Sequence, residues 1–117
     1  MNVQMFKNRT KQLAWQVINL VGELPPGKTP DVIGRQLVRA GTSVGANYRA
    51  ACRGRSTADV ISKMGVVEEE ADETCYWLEL LVDSKLVAPS RAAWLQKEAD
   101  EILAMTVASI KTLRRRV

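Results

Sequence analysis

Apolar residues recur at intervals of three and four along four long segments of the chain, a pattern typical of amphipathic helices. The pattern is clearest between Val32 and Arg53, where the apolar stripe consists of Ile33, Leu37, Val44, Tyr48 and Ala51. Small residues lie beside that stripe, among them Gly34, Gly41 and Gly45. Since glycine costs a helix interior about 1 kcal/mol relative to alanine, three glycines in one helix indicate that a second helix backbone approaches closely.

Three further helices are predicted around this segment. The first runs from about Asn8 to Leu24, and the third from about Thr57 to Ser84. The fourth begins at Pro89 or Ser90 and continues to the C-terminus. The expected end signals are Thr29 as an N-cap before Pro30, Gly54 as the C-cap of the second helix, and Ser56 with Asp59 at the start of the third.

The connection from Gly54 to Ser56 is so short that the second and third helices have to lie antiparallel. The four helices together predict one all-α domain over residues 1–117, an up-down-up-down antiparallel four-helix bundle. Several large apolar residues point away from the predicted core: Trp15, Val66, Tyr76, Trp77 and Leu80. Because a domain this small is expected to cover such residues, they predict a homo-oligomer.

Composition argues against most catalytic chemistry. The chain has no histidine, which removes the commonest general base and the commonest zinc ligand. Cys52 and Cys75 are interpreted as small buried hydrophobes, too far apart along their helices for a disulfide. No apolar run reaches the roughly 18 residues of a membrane span. We therefore expect a cytoplasmic, non-enzymatic protein without metal or cofactor and without a membrane partner.

The second helix carries a recognisable motif, in which Arg39, Ala40, Ser43, Ala46 and Asn47 follow the pattern R-[AS]-x-x-S-x-x-A-N. The third helix adds the acidic run from Glu68 to Glu73 and the segment YWLELL. In these features the chain resembles the four-helix-bundle proteins first recognised as products of intervening sequences in bacterial 23S ribosomal RNA genes. More distantly it resembles the accessory proteins of diversity-generating retroelements.

The resemblance implies a homopentamer, association with RNA or DNA, and a reverse transcriptase as a further partner. Ser43 and Asn47 lack a general base, so they are expected to hydrogen-bond across a helix contact or to close a helix end. The competing interpretation is a protein-interaction scaffold, or accessory subunit, that has no role with nucleic acid.

Basic residues give the nucleic-acid hypothesis its candidate site. Net charge is +4, and two clusters could contact phosphates. The clusters are Arg49, Arg53 and Arg55 near the turn that ends the second helix, and Lys111, Arg114, Arg115 and Arg116 at the C-terminus. The alternative for the terminal cluster, as for Lys7, Arg9 and Lys11, is a solvated helix end. Arg35 and Arg39 are expected to form ion pairs with Glu69, Glu70 and Glu73 on a neighbouring helix or subunit. The alternative is that they share a phosphate-binding face with Arg53.

Overall fold

Four α-helices account for most of the chain in a computed structural model that describes residues 2–116. They are α1 (Val3–Gly22), α2 (Lys28–Cys52), α3 (Thr57–Asp83) and α4 (Pro89–Arg114), and no strand occurs within residues 2–116. The molecule measures 47 × 22 × 21 Å, about the length of its longest helices. None of these helices combines the length and the hydrophobicity that crossing a bilayer requires.

The start of α1 differs from the prediction. The helix begins at Val3 rather than near Asn8, because the side-chain oxygen of Asn2 accepts a hydrogen bond from the Met5 N–H at 2.9 Å. This extra turn buries Phe6, whose ring packs edge-to-face on Tyr48 with centroids 4.5 Å apart. The first turn is therefore part of the core.

The ends of α2 also differ from the predicted caps. Thr29 is not the N-cap, because α2 begins at Lys28 after Gly27, whose φ of 145° suits glycine. The C-cap is Arg53 rather than Gly54. Gly54 is still constrained, since a Cβ there would collide with Val60.

The start of α3 is as predicted. Ser56 Oγ accepts a hydrogen bond from the Asp59 N–H at 3.1 Å, and the Asp59 carboxylate accepts one from the Arg55 N–H at 3.0 Å. Lys63 donates to the same carboxylate at 2.7 Å. The hydrogen bond from Lys63, followed by that from Arg55, lowers the pKa of Asp59. The next helix, α4, begins at Pro89, one of the two predicted starting residues, and its N-cap is Ala88.

The predicted apolar stripes form the core. Its largest fully buried side chains are Phe6, Leu13, Leu20, Leu37, Leu78, Leu81, Leu95 and Ile102. Both cysteines are free, but Cys52 is exposed rather than buried and Cys75 is half-buried. Cys52 is the last residue of α2 and directly follows Ala51, the last buried residue of the apolar stripe.

The glycines of α2 lie against α1, as their spacing predicts. A Cβ on Gly41 would stand 2.9 Å from Val17 Cγ2, and one on Gly34 would stand 3.0 Å from Val21 Cγ1. At Gly45 the nearest atom would be Thr10 Oγ1, at 3.1 Å. The two helices therefore approach too closely for larger side chains along this side of α2.

An ion-pair cluster joins α2 to α3. Arg39 contacts Glu70 at 3.0 Å and Glu73 at 2.6 Å, and the Glu70 side chain is only 11 % exposed. This confirms the predicted pairing for Arg39. The prediction for Arg35 is wrong: it pairs with Asp31, one turn away on its own helix, and both side chains are exposed.

Two bidentate pairs join α1 to α4. Arg9 binds both carboxylate oxygens of Glu98, at 2.9 and 2.6 Å, and Arg91 binds both of Glu23 at 2.8 Å. The hydrogen bonds that Arg91 donates lower the pKa of Glu23, and those that Arg9 donates to Glu98 raise the pKa of Arg9.

Replacing Gly41 with leucine should lower the free energy of unfolding by about 1–3 kcal/mol or more, because the side chain would enter the space of the buried Val17. Gly65→Ala is the matched control, since a Cβ there meets nothing within 4 Å. The control should gain about 0.5–1 kcal/mol from helix propensity. Urea denaturation measures both, and a Gly41→Leu variant as stable as wild type would show that α1 is not in close contact.

Replacing Arg39 with alanine should cost about 1–3 kcal/mol, because the nearly buried Glu70 carboxylate loses its charged donor. Charge reversal at Arg39 should cost more. Arg35→Ala is the matched control, since it also removes an arginine side chain from α2, one turn earlier. Arg35 and its partner Asp31 are both exposed, so this variant should change the free energy of unfolding by less than about 0.5 kcal/mol. Equal losses for the two alanine variants in urea denaturation would contradict a special role for Arg39.

Candidate nucleic-acid interface

The two predicted basic clusters lie at the same end of the molecule. The beginnings of α1 and α3 and the ends of α2 and α4 surround one cavity, to which Val3, Cys52, Val60 and Arg116 each contribute. Cys52 directly precedes Arg53, and Arg116 closes the C-terminal cluster. Residues about 60 positions apart in the chain therefore lie at one end of the molecule, because the helix lengths and loops bring the ends of α2 and α4 there.

A shallow groove between α1 and α2 extends this positive surface. Lys7, Lys11 and Arg49 line it together with small and polar residues such as Ala14 and Thr42. Two basic residues near the N-terminus, interpreted from the sequence as a solvated helix end, thus lie beside a predicted phosphate contact.

Most of these basic side chains have no acidic partner. Within residues 2–116, no ion pair engages any member of either cluster, and every member is exposed. Arg9 differs, because Glu98 and Glu101 bind it. Exposed and uncompensated guanidinium groups are the usual partners of phosphate oxygens. We call the surface formed by Lys7, Lys11, Arg49, Arg53, Arg55, Lys111, Arg114, Arg115 and Arg116 the basic end.

Of the family-motif residues, Ala46 lines the groove beside Arg49, whereas the others make contacts within the bundle. Ala40 is buried, and Arg39 holds α3. Ser43 donates to the Arg39 carbonyl at 2.6 Å, and Asn47 donates to the Ser43 carbonyl at 2.8 Å. The expectation of a bond across a helix contact or at a helix end is therefore wrong, because both side chains bond back within α2. Ala46, the remaining motif residue, is exposed.

The predicted oligomer contacts divide into two groups. Trp15, Val66 and Tyr76 are 55 %, 38 % and 53 % exposed. Trp77 instead packs against the core, where its indole N–H is buried without a hydrogen-bond partner among the described residues. Leu80 is also half-buried. Sequence reasoning missed Trp94, which is 50 % exposed although it stands next to the core stripe of α4.

Two buried or half-buried side chains, those of Cys75 and Tyr48, have strongly raised pKa values. The Cys75 thiol donates to Asp100 at 3.2 Å, and burial, followed by that hydrogen bond, raises its pKa to about 12. Burial, followed by a hydrogen bond with Cys52, raises the pKa of Tyr48 to about 12. Both groups therefore stay protonated at neutral pH.

Comparisons with known proteins agree on one family. A model of the family described as 23S rRNA-intervening sequence protein matches residues 4–108. A crystal structure of a protein with unknown function from the S23 ribosomal protein family of Bacteroides thetaiotaomicron is similar, with a TM-score of 0.87 and 32 % identity. The match covers 95 % of this chain and 99 % of that one. A comparison with curated proteins finds no match. The chain therefore belongs to the 23S rRNA-intervening sequence protein family.

Proposed function

We propose that this protein is a non-enzymatic homo-oligomer that associates with RNA or DNA through its basic end. The observation that carries the proposal is that both basic clusters lie at one end of the molecule, where Arg116 and Cys52, the residue before Arg53, line one cavity. No side-chain ion pair within residues 2–116 engages either cluster. Clustered charge of this kind binds the phosphate backbone, which neutralises it and releases counterions.

The helix arrangement we infer explains why the clusters meet. Gly45, Gly41 and Gly34 contact Thr10, Val17 and Val21 in that order, so α1 and α2 run in opposite directions. Two ion pairs, Arg9 with Glu98 and Glu23 with Arg91, lead us to infer that α1 and α4 also run in opposite directions. An up-down-up-down antiparallel bundle follows, and it carries the C-terminal ends of α2 and α4 to one end.

Recognition at the basic end should depend on charge rather than on sequence. The only aromatic side chain that lines its cavity within the described residues is Tyr48, which is 4 % exposed and so offers no face for base stacking. Phosphate contacts position a protein but carry no base information. We therefore propose binding with little sequence preference.

Oligomerisation would multiply the basic end. The exposed side chains of Trp15, Val66 and Tyr76 are the proposed contacts, and the family resemblance favours a pentamer. Several copies of a modest phosphate site would bind one nucleic acid far more tightly than a single copy. The family resemblance also makes a reverse transcriptase a candidate partner, in a cytoplasmic setting and without a cofactor.

The second candidate function is a protein-interaction scaffold. Trp15, Tyr76 and Trp94 favour it, because large exposed aromatic side chains are typical of protein interfaces. Under this alternative the basic end serves solubility alone.

Binding to labelled RNA or DNA should weaken steeply between about 50 and 200 mM salt, and the double reversal Arg53→Glu with Arg55→Glu should weaken it and flatten the salt slope. The matched control is Lys28→Glu with Arg35→Glu, which changes the net charge equally but near the start of α2, away from the basic end. Fluorescence anisotropy with single-stranded and duplex probes measures both variants. Equal losses would mean that net charge alone acts, and no binding of any probe at low salt would favour the scaffold.

Sedimentation velocity at micromolar concentration should show an oligomer, and Tyr76→Lys should reduce its mass because it buries a charge in the proposed contact. Trp94→Lys, an equally exposed aromatic position on α4, is the control and should leave the mass unchanged. A monomeric wild-type protein would rule out the oligomer, and dissociation by Trp94→Lys alone would move the interface to α4.

A further inference from the structure

The cavity at the basic end has a volume of about 630 Å³ and draws its wall from all four helices. Most of the wall is apolar, formed by Val3, Ala51, Val60, Met64, Met105, Ala108 and Leu113. Its polar part includes Cys52, Ser109, Thr112 and Arg116. A mainly apolar wall with a few polar groups is typical of small-molecule sites, which bundles commonly build between facing helices.

Charge around this cavity favours an anionic ligand. Arg116 is the single charged side chain among the described residues that line it. The exposed Arg53 directly follows the lining residue Cys52, and the exposed Lys111 directly precedes the lining residue Thr112. Ser109 and Thr112 of α4 line the same cavity as Arg116 and precede it in the chain by one helical turn or more. Thr112 already donates its hydroxyl hydrogen to the Ala108 carbonyl at 3.2 Å. A carboxylate placed there would therefore meet the Arg116 guanidinium group together with the Ser109 hydroxyl donor.

The shape of the wall favours a flexible tail. Lining residues extend along α4 from Met105 to Arg116, a rise of about 16 Å at the helix repeat. Met64 and Met105 both line the cavity, and unbranched side chains of this kind adapt to an inserted chain. The ring of Tyr48 is committed to its edge contact with Phe6, so a planar base has no stacking partner.

We propose that this cavity binds a straight-chain fatty carboxylate, with its tail between Met64 and Met105 and its carboxylate beside Arg116. The proposal does not depend on nucleic-acid binding, because the apolar wall that would hold the tail needs no phosphate contact. Arg116 belongs to both this cavity and the basic end.

Cys52 provides a reporter inside the cavity wall. Its exposed thiol should react with a disulfide reagent such as DTNB, whereas Cys75 should react slowly because its pKa is raised to about 12 by burial. Decanoate below its micelle concentration should slow the Cys52 reaction several-fold and bind with one molecule per chain in calorimetry. Decanol, which has the same tail without the charge, should bind roughly tenfold more weakly.

Two matched pairs of variants locate the site. Ala108→Trp fills the cavity from an exposed position and should abolish decanoate binding, while Ala104→Trp, one turn earlier and outside the lining, should not. Arg116→Gln should weaken binding, while Arg115→Gln should not. Unchanged Cys52 reactivity in decanoate would overturn the proposal. So would equal binding by both tryptophan variants, or protection of Cys52 by adenosine monophosphate but not by decanoate.

Discussion

Close packing on both sides of α2 is the constraint on which the rest of the structure depends. One side presents Gly34, Gly41 and Gly45 to α1, with no room for a larger side chain at Gly41. The other side holds α3 through Arg39, whose guanidinium binds the nearly buried Glu70 and the more exposed Glu73. With α2 held in register on both sides, its C-terminal end has one position relative to its neighbours. That position determines where Arg49, Arg53 and Arg55 lie in the basic end.

The elements could be predicted from the sequence because periodicity reports burial directly. Leu37, Val44 and Tyr48 are buried as their spacing predicts. Helix ends are decided by single hydrogen bonds, which the pattern does not show: Asn2 caps α1, while Gly27 rather than Thr29 precedes α2. Contacts within one helix also replace the contacts between helices that the sequence predicted. Arg35 pairs with Asp31 and Asn47 bonds to Ser43, each within one turn of its own helix.

The candidate site was predictable in its residues but not in its assembly. Arg53 and Arg114 are visible as charges in the sequence, yet their proximity depends on the lengths of α2, α3 and α4 and on how these helices pack. The cavity beneath them is invisible in the sequence, because its wall combines residues from all four helices. Trp94 was overlooked because it directly precedes the core residue Leu95 and breaks no pattern.

The most direct test of the basic end is lysine acetylation of the unmodified protein with and without bound RNA, read by mass spectrometry. Lys7, Lys11 and Lys111 belong to the basic end, whereas Lys28, Lys85 and Lys97 lie elsewhere on the surface and are also exposed or half-exposed. If RNA binds at the basic end, the first three should be protected and the last three should react as in the free protein. Protection of Lys28, Lys85 or Lys97 in their place would contradict it.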